Sequence, residues 1–224
     1  MNIKLQTLKM RLAEVVDLQR SAALLSWEQQ TYMPPGGAKA RAEQLATLQG
    51  LAHRLFITDE IGGLIKELSS SSGQWDYDTD EASLIRFVAR EYERESKIPT
   101  ELVAELASTT VLAQEAWASA RQNDDYSEFQ PHLQKVIALS RQQAECFAPY
   151  DHLYDPLLDK YEPDMKTSEV QKMFSGMKDE LIDLVNAINS RADAVNNEIL
   201  YGDFDIDRQR EFGLCIAKKL GYDL

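Results

Sequence analysis

Apolar residues recur every three or four positions along almost the whole chain, and no run alternates apolar with polar as a half-buried strand requires. Side chains at that spacing share one face of a helix, and such a face must be covered by another element. Leu5, Leu8, Leu12 and Val15 set one stripe on a first helix expected to run to about Gln30. Pro34 and Pro35 then stop it, and Gly36 and Gly37 open the turn. A second helix is expected over about Ala38–Phe56 with Leu45, Leu48, Ala52 and Leu55 inward. A short third, capped by Thr58 or Asp59, ends near Leu68, and Ser69–Asp78 is a polar loop.

The same reading continues to the last residues. Helix four takes about Asp80–Ser96, with Leu84, Ile85, Val88 and Tyr92 on its apolar face. Pro99 and Thr100 begin helix five, which runs to about Arg121 through Leu102, Leu106, Ala113 and Trp117. A sixth starts after Asp124 or Asp125, with Pro131 in its first turns. Tyr150–Val170 reads as a structured excursion. Thr167 is the expected N-cap of helix seven, which reaches Leu200. Asp205 or Asp207 caps a last helix to Leu220, closed by Gly221. The expected fold is all-α, with about eight mostly antiparallel helices in an irregular array over residues 1–224 as one helical region.

Composition narrows the class. Hydrophobic residues make up 44% of the chain and charged residues 27%, which suits a packed core and argues against global disorder. The net charge of −13 leaves no basic excess for a general phosphate-binding surface, so no nucleic-acid partner is expected. No stretch approaches the run of about 18 apolar residues that a membrane span needs. The N-terminus lacks a signal-peptide core. Cys146 and Cys215 lie in apolar helical patterns and read as buried free thiols, which fits a reducing, cytoplasmic compartment.

The residues that carry chemistry are sparse. His53, His132 and His152 are the three histidines, and none belongs to an HExxH metal motif. A site assembled from His132, His152 and a distant carboxylate has nothing in its favour. Glu91, Glu93 and Glu95 are read as alternating around a helix, and Asp76, Asp78 and Asp80 as solvated surface with a helix cap. Asp155, Asp159 and Glu162, near Tyr161, are read mainly as structural, with a substrate-groove role as the alternative. Gly62 and Gly63 complete no phosphate loop, no G-x-S-x-G elbow occurs, and Ser71 and Ser72 have no nearby base. On the residues alone the chain is a helical scaffold with no recognisable catalytic centre, and no catalytic, cofactor-binding or metal-ligating residue is assigned.

The stretch LLSWEQQTYMPPGGAKARAEQLATLQGLAHRLF, Leu24 to Phe56, resembles the N-terminal signature of the thermostable metallocarboxypeptidases typified by carboxypeptidase Taq. The resemblance continues through Asp125–Phe147, Tyr154–Phe174 and the final YGDFDIDRQREFGLCIAKKLGYDL. It implies a mostly helical, cytoplasmic, usually homodimeric enzyme that removes residues from peptide C-termini. Its zinc or similar divalent ion would be held by HExxH and a downstream Glu. No such ligand maps onto this chain. The expectation is therefore an N-terminal half of such an enzyme, inactive alone and without a metal of its own. The alternative is a non-catalytic helical scaffold or interaction protein.

One departure stands out. The family pattern reads Trp-Asp-x-x-Thr-x-Met-Pro, whereas Trp27 is followed here by Glu28. Trp27 is expected to pack the end of the first helix, Arg41 and Glu43 are candidate partners of Glu28, and the first two helices are expected to wall a peptide groove.

Overall fold

The computed structural model describes residues 2–34, 36–70, 75–191 and 194–223. Pro35, Ser71 and Ser72, singled out above, lie outside the described residues. The described chain is all-α: α1 (Ile3–Thr31), α2 (Ala38–Phe56), α3 (Asp59–Ser70), α4 (Asp80–Glu95), α5 (Thr100–Asn123), α6 (Tyr126–Glu145), α7 (Asp155–Leu158), α8 (Thr167–Asn189) and α9 (Ile206–Lys219), with a 3₁₀ turn at Glu198–Leu200. It divides into two compact units, residues 1–167 and 168–224.

Local chemistry sets the helix starts. The Asn2 side chain accepts from the backbone N–H of Lys4 at 3.0 Å, which satisfies one of the orphan donors at the start of α1. Thr79 does the same for α4 through Ala82 N, and Asp125 for α6 through Ser127 N. Ser127 also donates its hydroxyl to Asp125, and with these bonds the Asp125 carboxyl is held below its usual range. Asp205 caps α9 through Arg208 N, and Gly221 follows with φ +87°, the left-handed conformation that a closing glycine adopts readily.

Within residues 1–167, α1 packs on α2, α2 on α5, α5 on α6, and α3 on both α1 and α4. Among the described residues three clusters form the core. The first half of α1 sends Leu5 and Leu8 against Ile61, Ile65 and Leu68 of α3 and Ile85 and Val88 of α4. The second half of α1 places Ala22 against Ala42 and Leu45 of α2 and Val111 of α5. Ile98, Leu102 and Leu139 close the third cluster between α5 and α6. The small residues Ala22 and Ala42 let two helices approach closely where α1 meets α2.

Gly62 shows one close approach directly. A Cβ at that position would lie 2.4 Å from the Tyr92 hydroxyl, which donates to the Thr58 carbonyl at 3.2 Å.

Several expectations are corrected at the level of single residues. Leu55 and Trp117 are exposed rather than inward; Arg121 lies over the Trp117 ring, and α2 buries His53 in addition to Leu45 and Ala52. Cys146 is partly covered, but Cys215 is exposed. Thr167 is the first residue of α8, with its N–H and hydroxyl both directed to Asp155. That helix ends at Asn189, short of Leu200. Polar side chains there bond the local backbone in place of a longer helix: Ser190 Oγ donates to the Ala187 carbonyl, and Asn196 Oδ1 accepts from Glu198 N.

In residues 168–224 no described side chain is buried. Phe174, Met177, Leu181, Leu184 and Val185 follow a helical period along α8 and are all exposed. No described helix is long and apolar enough to cross a membrane.

Candidate functional site

The first unit contains a cleft of about 740 Å³. Leu12 and Val15 of α1, Leu45 and Phe56 of α2, Val88 of α4 and Leu106 of α5 give it apolar walls. Amides from Gln19, Gln49, Gln114 and Gln143 reach it from four helices. An apolar cleft with a few polar groups at defined places is the usual form of a small-ligand or peptide site.

His53 sits at one wall, 5% exposed, and ties three segments together. Its Nε2 is 3.0 Å from the Glu95 carbonyl, which can only accept, so Nε2 carries the proton. In the neutral ring Nδ1 then accepts from the Thr100 hydroxyl at 2.9 Å. This joins α2 to the end of α4 and the start of α5. The Glu95 carboxylate lies 3.6 Å from the same Nε2. His53 is thus a fully engaged structural side chain of the cleft wall.

Helix α4 sorts its charges by face. Arg90 donates to Asp159 at 2.6 Å and to Asp164 at 3.4 Å. Arg94 bonds the other oxygen of Asp159 and donates to the Pro156 carbonyl at 3.1 Å. Arg94 also lies over the Phe147 ring. One helical step onward, Glu91 and Glu95 line the cleft, while Glu93 is turned away and pairs with Lys97. The expectation that these three glutamates merely alternate is corrected for Glu91 and Glu95. Their i, i+4 spacing puts both on one face, and that spacing was the available signal in the sequence.

Asp155 has the structural role expected of it. Buried, it accepts from Thr167 Oγ1 at 2.6 Å, Thr167 N at 2.8 Å and His152 N at 3.1 Å. The Thr167 hydroxyl first, then the two backbone donors and Lys166, hold its carboxyl below the usual range. Asp159 is the anchor for both arginines of α4, whereas Glu162 and Tyr161 are exposed. Neither Asp155, Asp159 nor Glu162 lines the cleft.

The other candidates lie away from the cleft lining. Asp76, Asp78 and Asp80 are exposed, and the Asp76 carbonyl accepts from Thr79. His152 Nδ1 accepts from Tyr154 N, and His132 lies partly exposed on α6. Among the described residues no three His, Cys, Asp or Glu side chains are grouped so as to hold a metal ion.

At the first helix end Arg41 reaches Glu28 at 2.5 Å, as anticipated, and also donates to the Leu25 carbonyl. Glu28 is thus held by an ion pair to the start of α2. Trp27 is 54% exposed, meets Tyr32 edge to face, and does not line the cleft.

Comparison with known proteins gives a consistent result. Residues 7–224 match the family described as Carboxypeptidase Taq (M32) metallopeptidase. "Thermostable carboxypeptidase 1" of Thermus thermophilus is 34% identical over 94% of this chain and 43% of its own length. Among solved structures, that of the Pyrococcus furiosus carboxypeptidase in the form named "Apo-Mg" aligns with a TM-score of 0.78 and 26% identity, over the whole of this chain and 45% of the other. A structure named BsuCP, at 24% identity and a TM-score of 0.89 over 99% of this chain and 44% of the other, supports the fold. The chain spans less than half the length of these relatives.

Two expectations are corrected by the match. It runs along residues 7–224, and the description of the chain as an inactive N-terminal half is not retained. The expected lack of a metal is withdrawn with it, because the matched family is one of metallopeptidases.

Proposed function

This chain belongs to the Carboxypeptidase Taq (M32) metallopeptidase family, and on that premise we propose that it serves the metal-dependent removal of C-terminal residues from peptides. The carrying observation is the match along residues 7–224, joined to a cleft in the first unit with apolar walls and inward amides. In this reading the cleft holds part of the peptide. Its apolar surface takes side chains, and the glutamine amides offer both donors and acceptors to a peptide backbone. Helices α1 and α2 wall the cleft through Leu12, Val15, Leu45 and Gln49 rather than through Trp27.

The test is release of free amino acid from N-blocked peptides by the protein purified from its own cells, with zinc or a similar divalent ion and after chelation. Stepwise C-terminal release that chelation abolishes is the expected result. Internal cleavage, or no release with any ion, overturns the proposal.

The same reading makes the protein a cytoplasmic homodimer with no nucleic-acid partner. The net charge of −13 disfavours phosphate backbones, and the apolar face of α8 offers area for a second copy. A sedimentation mass near the 25.4 kDa of one chain would remove the dimer.

A further inference from the structure

The cleft is not electrically neutral, and the arrangement of α4 is the reason. In the run Arg90-Glu91 and again in Arg94-Glu95 a cation and an anion are sequence neighbours, about 100° apart around the helix. Neighbours at that angle do not face each other. Asp159 takes both arginines on one side, with Asp164 and the Pro156 carbonyl as further partners. The arginines are therefore hydrogen-bonded to Asp159 and its neighbours, not to the glutamates that line the cleft. Glu95 has His53 near its carboxylate, but both ring nitrogens of His53 already have hydrogen-bond partners. Glu91 makes no hydrogen bond or ion pair within the described chain. Among the described residues Lys160, exposed, is the one lysine or arginine lining the cleft, against two carboxylates.

Like charges at i, i+4 weaken a helix slightly and gain when a cation sits between them. The amides that line the remaining polar surface carry no charge. We infer that this cleft selects peptides with a basic side chain, lysine or arginine, seated against Glu91 and Glu95, so that Glu91 is a specificity-determining residue. The inference rests on the peptide-cleft reading above and adds the sign of the charge that the cleft prefers.

The experiment is titration calorimetry of the 224-residue chain with one blocked hexapeptide in three versions, carrying lysine, norleucine or glutamate at a single position scanned along the peptide. At the position that meets α4, lysine is expected to bind about tenfold tighter than norleucine, as a partly covered charge pair does, with glutamate weakest. Glu91→Gln is expected to remove most of that difference, and Glu91→Lys to invert the order. Circular dichroism of each variant checks that the fold is retained. Equal binding of the three peptides, or a preference for glutamate set by Lys160, overturns the inference and leaves the peptide cleft standing. Binding of none of them, with Ala107→Trp in the cleft also without effect on the protein's peptide hydrolysis, overturns both.

Discussion

α1 and α8 carry the same kind of apolar stripe and meet opposite fates. On α1, Leu8 is 0% exposed, enclosed by α3 and α4. On α8, Phe174 is 61% and Leu181 48% exposed, and no residue of that helix is buried. The contrast teaches that a 3.6-residue period forms a helix with an apolar side but does not by itself bury it. Burial of a leucine contributes about 1.5–3 kcal/mol only where neighbouring elements remove water from it.

Leu8→Ala and Leu181→Ala test that contrast with one chemical change. Leu8→Ala is expected to lower unfolding stability by about 2–5 kcal/mol, because it leaves a cavity as well as losing transfer energy. Leu181→Ala, made at an exposed position, is expected to stay within about 0.5 kcal/mol. Urea denaturation of both variants decides it, and equal losses would break the comparison.

Asp155→Asn ranks next. It weakens a buried carboxylate that accepts three hydrogen bonds, at an expected loss of about 1–3 kcal/mol. The sign of its pH dependence follows from the lowered carboxyl. The folded group titrates below the unfolded one, near about 3.9, so its stabilisation is complete above that pH and is lost as pH falls through the folded value. Thermal unfolding followed from neutral pH downward should show a shallower acid loss in Asp155→Asn than in the native chain.

Gly62→Ala forces a Cβ against Tyr92 and should lower stability by about 1–3 kcal/mol, as overpacking does. Gly63→Ala, with open space around its Cβ, is the matched control and should be neutral or slightly stabilising in the same thermal scan. Trp27→Ala is expected to have the smallest consequence of the series. The ring is half exposed and outside the cleft, so peptide affinity measured by calorimetry should not change.

Much of the framework was legible in advance. The all-α class, the bounds of α2, the start of α6 after Asp124 or Asp125, the cap of α9 at Asp205 or Asp207, the closing Gly221 and the Arg41–Glu28 pair all rest on interactions within a few residues or across one turn; the structure chose Asp125 and Asp205. The cleft was less legible. His53 is separated in sequence from Thr100 and Glu95, and no local pattern announces which helices converge on it. The family resemblance named the chemistry but assigned no residue of this chain to it.

The sequence by itself determined about where helices start and how their apolar sides are phased, because capping and a period of about 3.6 residues are short-range physics. Only the tertiary structure decided which stripes are covered, that His53 is enclosed by α4 and α5, and that Asp159 draws Arg90 and Arg94 away from the cleft. Those outcomes depend on side chains tens of residues apart meeting in space, where packing and charge pairing act at a few ångströms and sequence distance has no bearing.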